Sequence, residues 1–237
     1  MTASADHPRT AVVLLAAGEG RRVGAGRNKV LLPLLGEPVF TWSLRTALDL
    51  PGVTHVVLVT RPEDRPAVDA GLDLVAESHP GARIWIVPGG NTRHGSEWNA
   101  LRAVAEAVDA GEVDVVAIHD TARPLAGADL FQDVVRVAHE RGGALPVRAQ
   151  RSLLPRDPGT TLDGDLVAVQ TPQAFRAAPL LAAYRRADEE GFTGTDTASC
   201  VEAFTDLEIH CVDSPATNVK ITFPSDVALA ERLLRRA

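Results

Sequence analysis

The chain has 237 residues, of which 45% are hydrophobic and 23% charged, and a formal net charge of −7 at pH 7. That length is enough for one large domain, alone or with an insertion, and the composition is that of an ordinary soluble globular protein. The negative balance argues against broad nucleic-acid binding, and there is no apolar run of about 18 residues to cross a membrane.

The first ten residues, MTASADHPRT, lack the apolar core of a secretory signal and read as a frayed start. An aliphatic strand is expected over residues 11–16, and it breaks into a loop carrying Gly18, Gly20, Gly24 and Gly26 among Arg21, Arg22, Arg27 and Lys29. So cationic and flexible a loop suits a large anion. It does not fit G-x-G-x-x-G, because the last slot is Val23 and no acidic strand end follows about 20 residues on. Nor does it fit G-x-x-x-x-G-K-[ST], because Asn28 precedes Lys29 and Val30 follows it. The loop is of the phosphate type but of a third kind.

Further along, helices are expected over 39–49, 96–108 and 129–141, and strands over 55–60, 83–87, 113–119 and 143–147. In the second helix Trp98, Leu101, Val104, Ala105 and Val108 fall at helical spacing and read as core. Residues 148–170 break the rhythm, with Arg148, Arg151, Pro155, Arg156 and Pro158 before TTLDGD and the alternating LVAVQ. They read as a β-hairpin-like arm turning near Asp163-Gly164. Two strands alone are barely stable in water, so the arm is expected to pack on a second copy, giving a homodimer. Helices near 177–190 and 196–204, a strand at 209–212 and a helix from Pro224, with Pro at its first position, complete the series. Cys200 and Cys211 have no metal-type spacing and are expected to be reduced, buried thiols of a cytoplasmic protein.

Apolar strands separated by helices imply a doubly wound, mostly parallel α/β sheet covered on both faces, here one domain over 1–237 with the arm as an excursion. Ligands in such sheets sit at the carboxyl ends of the strands. That rule selects the loops 17–29, 88–96 and 120–124.

In the last of these, IHDTARP, Asp120 ends a strand where a carboxylate can hold magnesium, and Arg123 can clamp a phosphate or pair with Asp120. His119 reads as packed rather than catalytic. In VPGGNTRHGSEWNAL, Gly89-Gly90 permits close backbone approach to a ligand, and Ser96 reads as a helix N-cap followed by Glu97 in the first turn. Lys220 stands just before an expected short strand and the Pro-initiated helix. Arg22, Lys29, Arg123 and Lys220 with Asp120 and two glycine turns make an inventory for transfer at phosphorus. No Ser-His-Asp set, zinc spacing or nucleophilic cysteine signature accompanies them.

The succession LLAAGEGRRVG, NKVLLPLLGEP, PGGNTRHGS, HDTARP, QTPQAF, GTDTAS and NVKITFPSDVALAE resembles the 2-C-methyl-D-erythritol 4-phosphate cytidylyltransferase family from Ala11 to Glu231. The resemblance implies the nucleotidyltransferase variant of the Rossmann-like sheet, with an arm that builds a homodimer. It also implies magnesium-dependent coupling of CTP to methylerythritol phosphate. By position, Ala16, Ala17 and Gly18 would lie along CTP, and Arg22 and Lys29 would grip its phosphates. Gly90, Asn91 and Ser96 would read cytosine. Asp120 would serve the metal and the acceptor; Arg123 and Thr195, with Thr171 nearby, would hold the acceptor, and Lys220 would neutralise the α-phosphate.

The chain departs from the family pattern in places. Asn28-Lys29-Val30 stands for the usual Pro-Lys-Gln, and Thr121 for Ala. In the arm, Ala149-Gln150-Arg151 replaces Asp-Thr-basic, and Asp163 stands where an arginine is usual. These arm changes keep open another polyol phosphate acceptor, such as ribitol 5-phosphate. A nucleotide-binding protein without catalysis is the alternative of another class.

Overall fold

The computed structural model describes residues 7–18, 28–150 and 164–236. Arg22, Arg151, Arg156 and Asp163 lie outside the described residues. Strand β1 (Thr10–Leu15) leads to a small hairpin, β2 (Pro33–Leu34) and β3 (Glu37–Pro38), and then to helix α1 (Val39–Asp49). Next come β4 (Val53–Thr60), α2 (Arg65–Ser78), β5 (Ile84–Pro88), α3 (Arg93–Asp109), β6 (Val115–Asp120) and α4 (Gly127–Arg141). The chain continues through β7 (Gly143–Ala149), β8 (Val167–Val169), β9 (Gln173–Arg176), α5 (Ala177–Glu190), α6 (Thr197–Phe204), β10 (Ile209–Asp213) and α7 (Pro224–Leu234).

The sheet order is β10-β7-β9-β6-β1-β4-β5, with β8 paired to β7 outside this path. The pairings of β1 with β4 and β6, of β4 with β5 and of β10 with β7 are parallel. Alternation along β1 divides the core: Ala11 and Val13 face a layer formed by α3, α5 and α6, while Val12 and Leu14 face α1, α2 and α4. Phe40, Leu44, Phe131, Leu101, Leu180 and Tyr184 are completely buried between sheet and helices. Each such side chain is worth roughly 1.5–3 kcal/mol of burial, which outweighs local propensity in fixing the layers. A third cluster, Leu34, Val39, Ile221 and Ala230, seats α7 on the β2–β3 hairpin.

Several expectations need correction. Helix α2 was not expected, although Val68, Leu72 and Val75 recur at helical spacing and pack into the core; at Gly71 the helix comes so close that a Cβ would lie 2.5 Å from the Phe40 ring. Strand β9 was missed as well. It wedges antiparallel between β6 and β7, where four residues are too few to show a period. Helix α3 begins at Arg93 and is capped by Thr92, whose side chain accepts from Gly95 N, so Ser96 is not the N-cap. Residues 220–222 form no strand, and Cys211 is exposed while Cys200 is buried. At the root of the arm, Arg148 pairs with Ala168 in an antiparallel ladder, and Gln150 N donates to Leu166 O at 2.8 Å.

Candidate active site

Parallel registers bring four strand ends to one edge of the sheet. Leu15 lies beside both Val59 and Asp120, and Thr60 beside Pro88. The loops leaving these ends enclose a cleft of about 540 Å³. Eight of the residues expected at the site line it: Ala17, Gly18, Lys29, Gly90, Asn91, Ser96, Asp120 and Lys220. Ala16 is buried beneath it, its N–H donating to Val59 O. Arg123, Thr171 and Thr195 are not on the wall of this cleft.

Asp120 is the electrostatic centre. Its Oδ1 is bonded by Arg93 Nη1, and its Oδ2 accepts from Lys220 Nζ at 2.5 Å. Burial alone would raise this carboxyl, but the charges and hydrogen bonds of Arg93 and Lys220 hold it far below the usual carboxylate range. Arg93 was missed because the helix was expected to start only at Ser96. The available signal was its (i, i+4) spacing to Glu97.

Glu97 is completely buried on the far side of Arg93. Arg93 Nε approaches Glu97 Oε1 to 3.0 Å, a charge contact rather than a hydrogen bond, since the Nε hydrogen finds no acceptor. Tyr184 Oη donates to Glu97 Oε2 at 2.5 Å, and Thr197 Oγ1 donates to Oε1 at 3.0 Å. Burial raises the Glu97 carboxyl above its ordinary value, and the charge of Arg93 and the two hydroxyls oppose this only in part. The residue expected to add negative charge in the first turn is therefore a fully buried carboxyl.

The Gly89-Gly90 turn makes its close approach to protein. A Cβ on Gly89 would lie 2.4 Å from Ala17 Cβ, and one on Gly90 2.6 Å from Gly95 C. Ser96 Oγ accepts from Gly90 N and donates to Thr92 O, both at 3.0 Å, so this hydroxyl fixes the turn. Asn91, exposed at the mouth, is the side chain there with both a donor and an acceptor to offer.

Two departures from the family pattern acquire reasons. Asn28 Nδ2 donates to Ala16 O and to Asp64 Oδ2, at 2.6 and 2.8 Å, and Asp64 is also held by Arg61, another residue of the cleft wall. Burial raises the Asp64 carboxyl, but the bonds from Arg61 and Asn28 bring it below its ordinary value. Thr121 Oγ1 donates to Leu15 O at 2.8 Å, tying the ends of β1 and β6 together. Beneath them runs a buried chain of polar groups. Asp120 N donates to Thr171 Oγ1, which bonds His119 Nδ1, and His119 Nε2 bonds Arg123 O, each at 3.1 Å. Burial pushes His119 down to about 4, so it stands neutral with Nε2 as donor and Nδ1 as acceptor. The expectation that His119 is packed holds, and the hydroxyl of Thr171 is committed to this chain.

Arg123 does not pair with the Asp120 carboxylate. Its Nη1 donates to Asn218 O at 2.8 Å, while its Nε is buried without a hydrogen-bond partner. Thr195 is exposed beside α6, with its N–H donating to Ser199 Oγ. Among the described residues no three His, Cys, Asp or Glu side chains gather as for a metal. Magnesium needs no such cluster where substrate phosphates and water supply most of its ligands, so Asp120, with lone pairs left over, suits it.

The family described as 2-C-methyl-D-erythritol 4-phosphate cytidylyltransferase matches residues 10–236. Relatives bearing that name include a protein of Synechococcus elongatus, 36% identical over 95% of this chain and 96% of its own length. Another, from Symbiobacterium thermophilum, is 38% identical over 94% of this chain and 92% of its own. Among solved structures, the 2-C-methyl-D-erythritol 4-phosphate cytidylyltransferase of Thermus thermophilus is 28% identical with a TM-score of 0.67, covering 95% of this chain and 98% of that one. The 4-diphosphocytidyl-2C-methyl-D-erythritol synthase of Anaerococcus prevotii shares the fold, with a TM-score of 0.79 at 23% identity and 98% coverage of both chains.

Proposed function

The chain belongs to the 2-C-methyl-D-erythritol 4-phosphate cytidylyltransferase family, and from that membership we propose that it couples CTP to 2-C-methyl-D-erythritol 4-phosphate. Pyrophosphate is released, in the non-mevalonate route to isoprenoids. The observation that carries the reading is Asp120 held between Arg93 and Lys220 on a cleft that also contains Lys29 and the Gly89-Gly90 turn.

An oxygen of the acceptor's phosphate attacks the α-phosphorus of CTP. A new P–O bond forms in line with the bond to the β-phosphate, which breaks as pyrophosphate leaves. The nucleophile already carries negative charge, so no general base is needed, and stabilisation of charge does most of the work. Lys220 faces the α-phosphate, while Lys29 and Arg22 hold the outgoing phosphates. Gly90 and Asn91 bound the base, with Ser96 keeping their turn in shape. Asp120 would hold magnesium together with the triphosphate, and the ion would supply further neutralisation of the phosphates.

Arg123 and Thr195 hold the acceptor in this reading, with Thr171 nearby and its hydroxyl kept in the buried chain beneath Asp120. They lie off the cleft wall, and in this reading the arm of a second copy completes the acceptor side. Val167 and Val169, 41% and 45% exposed beside β7, support a homodimer. We place the reaction in the cytoplasm; among the described residues no helix is long and apolar enough to cross a membrane.

The test is pyrophosphate release from CTP with magnesium and a panel of polyol phosphates at equal concentration. Turnover with methylerythritol phosphate above all others is expected. Preference for another polyol phosphate such as ribitol 5-phosphate, the alternative that Ala149 and Gln150 in the arm keep open, would replace the acceptor and keep the chemistry. CTP binding without turnover on any acceptor would overturn the reading.

A further inference from the structure

Glu97 is a buried carboxylate that the transfer chemistry leaves unused. It sits on the inner face of α3, one helical turn beyond Arg93, with no exposed surface. Keeping an anion there is costly unless it is paired and hydrogen-bonded. Three groups meet its two oxygens: Tyr184 Oη from α5 at 2.5 Å, Thr197 Oγ1 from α6 at 3.0 Å, and the Arg93 guanidinium at 3.0 Å. All three can donate. Tyr184 is itself immobilised, fully buried and stacked on His94 with ring centroids 4.5 Å apart. The carboxylate is therefore fixed from three helices, and the guanidinium beside it is the only one of its neighbours that reaches the cleft.

Arg93 lies between two carboxyl groups: Glu97 at its back and Asp120 at its front. Its contact with Glu97 is through charge and not through an aligned hydrogen bond, so Glu97 fixes where the guanidinium stands without taking up its forward-facing Nη1. Lys220 grips Asp120 from the other side, and the four groups form an alternating row, Glu97–Arg93–Asp120–Lys220.

We propose that Glu97 is a positioning residue for the transfer reaction: it anchors Arg93 from behind and divides its charge, so that Asp120 is oriented in the cleft but not fully neutralised. Without Glu97 the whole charge of Arg93 falls on Asp120, and the guanidinium is free to turn. The proposal rests on the cytidylyltransferase reading, and it extends that site through the sheet-covering layer to Tyr184 and Thr197.

The experiment is a double-mutant cycle on the full chain with Glu97→Gln, which keeps the shape and removes the charge, and Arg93→Met. Outer partners of such oriented ligands typically contribute about 10–100-fold, so kcat should fall about tenfold or more in Glu97→Gln. In the Arg93→Met background the same change should alter kcat by less than about twofold. Unchanged kcat in Glu97→Gln, or losses that multiply in the double variant, would overturn the proposal. Thr197→Val, which leaves both charges and removes one anchoring hydroxyl, guards against misfolding of the first variant. Its smaller loss must likewise vanish when Arg93 is absent. CTP dissociation constants, measured by calorimetry on the same proteins, carry the cycle if the wild-type protein turns over no acceptor. A failed substrate assignment and a failed role for Glu97 therefore give different results: the first leaves the binding cycle coupled, the second makes it additive.

Discussion

Lys220 Nζ lies 2.5 Å from Asp120 Oδ2, although one hundred residues separate them in the chain. The approach is built by its neighbours. Asn218 Nδ2 donates to Thr171 O and Gln170 Oε1, and Ile221 N donates to Ala122 O, pinning the strand-free segment over the end of β6. Lys220→Ala should lower kcat about 10²–10³-fold, the usual cost of one charge-stabilising contact. Steady-state kinetics in CTP and acceptor check this, and an unchanged kcat would remove Lys220 from the reaction.

Lys29 follows Asn28, whose side chain is fastened to Ala16 O and Asp64. The lysine thus leaves a fixed point and reaches the cleft wall. Lys29→Ala should also lower kcat about 10²–10³-fold while leaving the melting temperature nearly unchanged. A large loss of thermal stability with normal turnover would mean that the lysine is a structural group.

His119 links stability to pH. Its ordinary value is 6.5 and burial pushes it down to about 4, so between these values the unfolded chain binds a proton that the folded chain refuses. Stability is then complete above about pH 6.5 and declines as pH falls towards 4, by about 3 kcal/mol in total at 1.36 kcal/mol per pH unit. His94, also lowered by burial, adds in the same sense. Urea unfolding at pH 7.5 and pH 5 should show the loss in the wild-type protein and a smaller one in His119→Gln. Equal losses would show that His119 does not carry the effect.

The homodimer is tested by light scattering, where twice the 25.1 kDa chain mass is expected. Replacing both Val167 and Val169 with Lys should shift the protein to monomer, because desolvating two charges opposes burial of that strand. A monomeric wild-type protein would contradict the role of the arm.

The helices α1 and α5 start and end where their sequence patterns place them, since each has a clear apolar face and a defined boundary. Strand β6, expected over 113–119 and found at Val115–Asp120, is legible to within two residues, because residues buried on both faces read as a continuous aliphatic run. The antiparallel β9 is not, because its position comes from what flanks it in space. At the site, Asp120 and Lys220 were visible as residue types at a strand end and in a motif. Their contact was not visible, since it depends on the fold of 214–221. Arg93 was hidden by Gly95, which makes the first turn of α3 resemble loop. Glu97 was read as first-turn charge because acidic residues ordinarily favour a helix start. Only the packing of α5 and α6 over it reverses that. Asn28 and Thr121 stood out only as departures from a pattern, and each proves to be a side-chain clasp.

The hundred residues between Asp120 and Lys220 also set an order in time. A chain made from its amino end carries Arg93 and Asp120 long before Tyr184 and Thr197, and then Lys220, emerge. Until then Asp120 faces one cation instead of two, and the nascent cleft lacks the charge proposed to meet the α-phosphate. The proposed catalytic centre is thus a late event in the life of the polypeptide, finished by a short segment that belongs to no strand or helix.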